Sequence, residues 1–371
     1  MKKITIGLTE RHGMAVEQQK YSPKDINYEF LDIKREPPYW LTSPIKGFGR
    51  SYSSENVDAI EAVLSPIITS KPWFYSLACY EEAIPFGFLG APLPKAIRNR
   101  LVCNLFKKSN FKSLIFWSKA GLNTLRTYGG FTENHWIWEK SEVIYPAIRF
   151  QRQTVSYSNQ KIRLLFNGNF FIKGGANVVD VFEKLQAIYR TNIELVLCCD
   201  EEIDFHTGDP KLKERYLDKI KRNPSIKFGR VPRDVFLHEI LPSTDIYLLP
   251  SYGDAFGFAI LEAMSFGIPV IATNYMAIPE MIDDGENGML IDISLYQCQK
   301  MFPGCYVQHL PDAFREYVSE MLFQKVDSLL CSKVKRQQLG ESALQKTREH
   351  FSFEIRNTNM RNLIEKYLER D

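Results

Sequence analysis

The sequence predicts an α/β protein of two domains with parallel sheets, and three observations carry that prediction. From residue 162 onward, short apolar runs alternate with amphipathic stretches, strand then helix, as a parallel sheet covered on both faces requires. Within that series Ile246 to Leu249 reads as a buried strand, Pro250 to Phe256 as a polar glycine-containing loop, and the residues after Gly257 as a helix; a second buried strand, Ile268 to Ala272, follows at once. The length, 371 residues, accommodates two full cores. The polar stretch Gln151 to Gln160 supplies a linker between them.

In chain order, Ile4 to Leu8 is a strand leading into the loop Thr9 to Gly13, and Tyr28 to Ile33 is a second strand. Glu36 to Ser54, with two prolines, several aromatics and Gly47-Phe-Gly49, reads as a long loop of the kind that serves function or moves. Asn56 to Leu64 reads as a helix and Trp73 to Ala78 as a strand. Lys95 to Lys108 is helical after Pro92-Leu-Pro94, and the spacing of Ile97, Leu101 and Leu105 assigns that stripe to the core. Lys95, Arg98, Arg100, Lys107 and Lys108 flank the stripe without sharing one face; they are solvated charges or a grip on anionic lipid. Ser113 to Trp117 is a strand, and Ser118 caps the helix running to Gly129.

The second domain runs as strand Ile162 to Phe166, helix Ala176 to Tyr189, strand Ile193 to Cys198, helix Lys211 to Arg222, strand Ile226 to Phe228 and helix Asp234 to Leu241. After the 246–272 unit come a short helix, Ile278 to Ile282, a strand, Met289 to Ile291, and an insertion at 292–309. Leu310 to Cys331 and Lys333 to His350 are helices. The domains are therefore expected at 1–155 and 156–350.

Composition is that of an ordinary globular protein, 44% hydrophobic and 25% charged. No apolar run is long enough to cross a bilayer, and the first strand is too short for a signal peptide. The seven cysteines show neither a CxxC pair nor zinc spacing, and Cys198 and Cys199 end an apolar strand as core residues. A cytoplasmic protein, or one peripheral at the cytoplasmic membrane face, is expected. Residues 1–155 carry 21 Lys and Arg against 14 Asp and Glu, a net +7, and the remainder carries 26 against 30, a net −4. A positive first half suits solvated surface or an anionic partner such as a membrane. The cations are scattered rather than striped, so no nucleic-acid partner is expected.

The loop after Leu249 opens at the carboxyl end of a parallel strand, where ligands of open α/β sheets sit. A helix beginning at Gly257 turns its free N–H groups and positive dipole end toward that crevice, which favours phosphate. Asp254 precedes the helix and Glu262 lies in its second turn, roughly 8 Å along the axis from Gly257 at about 1.5 Å per residue. The two acids are too far apart to share one bond. They suit hydroxyls at the two ends of a ligand whose diphosphate rests between them, a nucleotide sugar. On spacing alone Asp254 is equally a loop acid near a helix N-terminus, and Glu262 an exposed helix residue.

The run from Pro250 through Thr273, continuing in Ile278-Pro-Glu-Met-Ile282 and Asp284-Gly-Glu-Asn-Gly288, resembles family 4 of the retaining glycosyltransferases, the group 1 glycosyl transferases. The resemblance covers 143–371 well and the first half loosely. It implies the GT-B fold, two Rossmann-like domains with parallel sheets facing across a cleft, with Val143 to Ile148 as the first domain's last strand, 353–369 as a terminal helix and 351–371 returning to the first domain. The family signature is two acids with seven residues between them, here Asp254, where Glu is usual, and Glu262.

By this resemblance Asp254 takes the donor sugar's hydroxyls, the N–H groups of Phe256, Gly257 and Phe258 its phosphates, and Glu262 the ribose; Glu280 is a further motif acid or a helix N-terminal one. The loop Asn167 to Gly175 lies under the diphosphate, through Gly168 and Lys173, with Asn169 standing where relatives carry Arg. Arg230 or Arg233 is expected to add charge, from the loop that borders the base. Glu82 stands near the strand end where many relatives place a cleft-facing His, and is a catalytic candidate or an exposed loop acid. Residues 36–54 fall to the acceptor side.

The activity implied is retaining transfer from a nucleotide sugar to a glycan or lipid-linked glycan, with the departing phosphate helping to take the acceptor's proton. No cofactor and no metal is implied. Two alternatives are a GT-B epimerase or phosphorylase, whose extra acids and His or pyridoxal-binding Lys are not visible, and a catalytically silent GT-B subunit that binds sugar or scaffolds an assembly.

Overall fold

The structure, a computed structural model, describes residues 3–11, 13–35, 50–63, 65–84, 87–88, 91–150, 161–296 and 311–368. The expected linker at 151–160, residues 36–49 of the long loop and residues 297–309 of the insertion lie outside the described residues. The chain forms two compact units, Met1–Arg149 with Phe351–Asp371, and Phe150–His350.

The first unit is built on six parallel strands: β1 (Ile4–Leu8), β2 (Ile26–Phe30), β3 (Ala59–Val63), β4 (Trp73–Leu77), β5 (Phe111–Phe116) and β6 (Ser141–Val143). They lie in the order β6-β5-β4-β3-β1-β2, and helix α1 (Gly13–Lys20) follows β1. Side chains alternate across the sheet. Trp73, Tyr75 and Leu77 pack on one face with Val102 and Phe106 of α2 (Lys95–Phe106) and Leu125 of α3 (Lys119–Thr127). Phe74 and Ile115 pack on the other with Ile6, Leu8 and Tyr28, beneath Met360, Leu363 and Ile364 of the terminal helix Phe353–Leu368. Ser118 caps α3 as expected, its hydroxyl accepting the Gly121 N–H at 2.8 Å.

Four expectations fail in this unit. Residues expected as helix around Asn56 to Leu64 instead contain β3, flanked by β1 and β4 with all five residues buried. A strand covered on both faces loses the period-2 pattern, so its short apolar run cannot be told from a buried helix. The expected strand Tyr28 to Ile33 ends at Phe30, and Ile33–Arg35 pairs separately with Ser51–Tyr52. The expected strand at Val143 lies earlier, at Ser141–Val143; Ile148 beyond Pro146 gives its N–H to Phe351 O instead, at 2.9 Å. On α2 the core face is Val102, Leu105 and Phe106, while Ile97 and Leu101 are 48% and 42% exposed.

The second unit repeats the architecture with β7 (Ile162–Asn167), β8 (Ile193–Cys198), β9 (Ile226–Phe228), β10 (Ile246–Leu249), β11 (Val270–Thr273) and β12 (Met289–Ile291). All are parallel, in the order β9-β8-β7-β10-β11-β12. The chain moves outward one way from β7 through β9, then crosses back and continues from β10, so the order reverses between β7 and β10. That is the switch point at which doubly wound sheets open a crevice. Helices α4 (Gly175–Tyr189) and α5 (Pro210–Arg222) serve the first half; α6 (Phe258–Ser265) follows β10, and α7 (Ile278–Met281) follows β11. The helix expected over Asp234 to Leu241 is a broken series of short turns across Arg233–Ser243. Cys198 and Cys199 are buried at the end of β8. The α/β class and the GT-B architecture of two Rossmann-like domains hold.

Candidate functional site

The switch point brings two loops side by side, one after β7 (residues 168–174) and one after β10 (residues 250–257). Three glycines in the left-handed region shape them: Gly168 (φ 100°), Gly174 (φ 80°) and Gly257 (φ 94°). At Gly174 the loops touch, since a Cβ there would stand 2.2 Å from the Pro250 carbonyl oxygen. The Tyr252 N–H donates to Ile172 O at 2.9 Å and locks the two loops together. Below them the buried Tyr252 hydroxyl donates to Asn177 Oδ1 on α4 at 2.8 Å.

This packing delivers Lys173 to Asp254. The β7 loop turns on Asn169, whose Oδ1 accepts the Ile172 N–H at 3.2 Å. Asn169 therefore shapes the loop and supplies no positive charge. Lys173 Nζ then lies 2.9 Å from Asp254 Oδ2, with the Asp254 side chain only 12% exposed. Burial by itself would lower the Lys173 ammonium, but Asp254, with Asp204 and Cys199 beyond it, carries it above the ordinary lysine value. The other carboxylate oxygen of Asp254 accepts the Phe256 N–H at 3.2 Å, fixing the approach to α6. Phe256 is buried against Phe258, ring centroids 4.9 Å apart.

The second acid is also paired. Glu262 faces inward from the second turn of α6, its side chain 13% exposed, and meets the 58% exposed guanidinium of Arg233. The contact is bidentate: one Arg233 nitrogen donates to Oε2 at 3.0 Å and the other donates to Oε1. Both acids act on one buried phenol between them. Tyr247 of β10 is pushed well above its ordinary value by burial and then by Glu262 and Asp254, and its hydroxyl donates to Asn167 Oδ1 at 2.5 Å.

Of the residues named from sequence, Gly168, Asn169, Lys173, Asp254, Phe256, Gly257, Phe258, Glu262 and Arg233 lie on these loops, on α6 or in direct contact with them. Helix α7, which carries half-buried Glu280, borders the mouth: Met281 Cε lies 3.1 Å from where a Cβ on Gly257 would stand. Arg230 is exposed and sits by Asp200 after β8; Asp200 is lowered chiefly by the N–H groups of Ile203 and Glu202, with Arg230 a smaller influence. Three features had no sequence signal. The Arg233–Glu262 pair joins residues 29 apart, the Tyr252–Asn177 bond joins residues 75 apart, and Tyr247 reads as plain strand.

Glu82 belongs to the first unit, in the short turn Tyr80–Ala83 after β4. Its carboxylate accepts the Ala78 N–H at 3.0 Å, and neighbouring Glu81 accepts from the Tyr128 hydroxyl at 2.9 Å. Burial first, and the Glu81 charge after it, push Glu82 up to about 7.

Comparison with known proteins places residues 161–295 in a family and the chain in a fold. Residues 161–295 match the family Glycosyl transferases group 1, in agreement with the general glycosyltransferase group that the motif resembles. An uncharacterized 41.2 kDa protein of the cps region of Klebsiella pneumoniae is 36% identical over 163 residues, 41% of this chain and 42% of that protein. The D-inositol 3-phosphate glycosyltransferase of Corynebacterium kroppenstedtii is 38% identical over 72 residues, 19% of this chain and 16% of that enzyme. The chain thus spans less than half the length of these curated relatives. Among solved structures, a glycosyltransferase from Rickettsia africae superposes with a TM-score of 0.63 at 16% identity, covering 100% of both chains. Anabaena Alr3699/HepE in complex with UDP and glucose gives 0.63 at 15% identity, covering 98% of this chain and 99% of that one. At such identities the likeness is one of fold.

Proposed function

We propose, for a chain whose residues 161–295 are of the group 1 glycosyltransferase family, that it is a retaining glycosyltransferase using a nucleotide sugar, with a glycan or lipid-linked glycan as acceptor. The observation that carries this reading is the pair of ion pairs at the β7/β10 switch point, Lys173 with Asp254 and Arg233 with Glu262. Each couples a carboxylate suited to sugar or ribose hydroxyls with a cation suited to phosphate. A diphosphate across the start of α6 takes the two cations and the free N–H groups of the helix. Asp254 then accepts from the donor sugar's hydroxyls and Glu262 from the ribose.

As the glycosidic bond breaks, charge grows on the departing diphosphate, and Lys173, Arg233 and the helix N-terminus stabilise it. The phosphate oxygen that gains this charge takes the acceptor hydroxyl's proton on the same face of the sugar, so configuration is kept without a separate base. Glu82, pushed up to about 7 in the first unit, is a candidate to contact an acceptor hydroxyl and is not needed for this proton transfer. The likeness in fold to a protein solved with UDP and glucose makes uridine diphosphate sugars the first donors to try.

The test is release of nucleoside diphosphate from a panel of donors. Asp254→Ala and Glu262→Ala are each expected to lower kcat/KM by about 10- to 100-fold while the protein stays folded, since each removes a charged acceptor from the donor's hydroxyls, a hydrogen bond that contributes about 1.5 to 3 kcal/mol. A second reading, a sugar-binding subunit without turnover, is favoured by Asn169, which leaves the β7 loop with one cation where relatives carry two. Donor binding that persists with no turnover across the panel selects that reading.

A further inference from the structure

A groove of about 950 Å³ lies in the second unit over the outer face of α4, walled by α5 and by α8 (Asp312–Leu330). Hydrogen bonds pin the three helices around it. Asn177 Nδ2 of α4 donates to Arg315 O at 3.0 Å and to Ser319 Oγ at 2.9 Å on α8. On the other side the Tyr216 hydroxyl of α5 donates to Asp180 Oδ2 at 2.6 Å. Lys219 Nζ donates to Asp180 Oδ1 and to Glu183 Oε2, each at 2.8 Å. Lining positions 177, 180, 183 and 184 share one stripe of α4, and 312, 316, 319 and 320 share one of α8.

The lining decides what the groove takes. Four Lys and Arg stand with five Asp and Glu around it, and no aliphatic side chain among the described lining residues is larger than alanine. An apolar ligand gains nothing there; a polyphosphate meets the acids and a polyamine the cations. A saccharide is uncharged, and each of its hydroxyls both donates and accepts. It donates to carboxylates, which only accept, and accepts from ammonium and guanidinium groups, which only donate. Two charges are left for it: Lys184 on α4 and Glu316 on α8 are exposed and make no ion pair with a described residue. Tyr317 adds a ring anchored by its hydroxyl, which donates to Asp292 O at 3.0 Å. We propose that this groove is a saccharide site separate from the donor crevice, taking a short neutral oligosaccharide. Its volume falls at the upper end of that of ligand sites, roughly 300 to 1,000 Å³. Buried Asn177 lines it and also accepts the Tyr252 hydroxyl at 2.8 Å, so the site lies directly behind the donor loops. The lining alone carries the inference; in a chain that extends glycans, such a site holds the glycan near the enzyme between turnovers.

The experiment is calorimetric titration of the full chain with maltotetraose, cellotetraose and chitotetraose, with uridine diphosphate present throughout to fill the donor crevice. At least one tetrasaccharide is expected to bind, and spermine and tripolyphosphate are not. Lys184→Ala with Glu316→Ala is expected to weaken that binding by about tenfold or more. Both side chains are exposed, so the double variant is expected to melt as the wild type does. Glu262→Ala, in the donor crevice, is expected to leave tetrasaccharide binding unchanged. The inference is overturned if no tetrasaccharide binds, if spermine or tripolyphosphate binds in their place, or if the double variant binds as tightly as the wild type. Binding lost in Glu262→Ala and kept in the double variant overturns it too, since the sugar then sits in the donor crevice. None of these titrations reads sugar transfer, so their outcomes leave the proposed activity untouched.

Discussion

At the scale of single residues, the β10 loop and α6 hold two acids, Asp254 and Glu262, that are each already answered by a cation. Arg233–Glu262 is the more exchangeable pair, because the guanidinium is 58% exposed and an ion pair in that setting contributes only about 1 kcal/mol. Removing the Glu262 charge therefore has opposite effects on two ligands. Glu262→Gln is expected to strengthen inorganic pyrophosphate binding severalfold, since Arg233 is released toward phosphate, and to weaken nucleoside diphosphate binding, since the ribose loses its acceptor. Calorimetric titration of both ligands reads this, and pyrophosphate affinity that does not rise counts against an exchange of partners.

Glu82 gives a second residue-scale prediction. Its folded value of about 7 lies above the ordinary 4.5, so the fold binds its proton more tightly than the unfolded chain does. The folded state is favoured at low pH, and stability drains away as pH rises from about 4.5 to about 7. Glu82→Gln is expected to flatten that part of the profile by on the order of 2 kcal/mol. Melting measured across this range checks it.

At the scale of elements, two of the three glycines of the site, Gly174 and Gly257, separate by what stands against them. At Gly174 the obstacle is backbone, the Pro250 carbonyl, and the φ is positive as well. At Gly257 a Cβ meets only the movable ends of Met281 and Ile260. Gly174→Ala is expected to destabilise the second unit by about 3 kcal/mol or more, and Gly257→Ala by only about 1 to 2 kcal/mol. Denaturant unfolding of the two variants checks the order. Element by element, the second unit was the more legible half. Its strands alternate with helices at regular spacing, and its β10-loop-α6 run is a long motif with glycines and acids at fixed positions. In the first unit β3 was misread because burial on both faces erases its period. The stripe on α2 was misread because spacing shows that Ile97, Leu101 and Leu105 share a side without showing which side faces the core. The site residues were visible as types on loops, whereas the Arg233–Glu262 contact depends on how the turns after β9 pack, which no local pattern encodes.

At the scale of the whole molecule, the chain's last helix belongs to its first unit. Arg356 is buried 3.6 Å from Glu61 in the middle of β3, and Glu61 also accepts from Ser76 Oγ and from Gln18 Nε2, both at 2.6 Å. Nearby, Asn357 Nδ2 donates to Tyr21 O at 2.7 Å and Arg361 pairs with Asp25. Taking one partner from a buried pair leaves an uncompensated charge and costs about 3 to 5 kcal/mol. Arg356→Met is expected to destabilise the first unit by that amount, and Arg356→Met with Glu61→Gln to recover much of it; thermal melting of the single and double variants decides. Both units rest on one functional claim, that a nucleoside diphosphate lies across the start of α6. The measurement that tests it most directly is a crystal structure of the protein with uridine diphosphate. The expected result is a diphosphate against the N-terminus of α6 in contact with Lys173, the ribose on Glu262, and Arg233 turned from that acid to a phosphate. A nucleotide bound elsewhere, or bound with Arg233 still on Glu262, would contradict it.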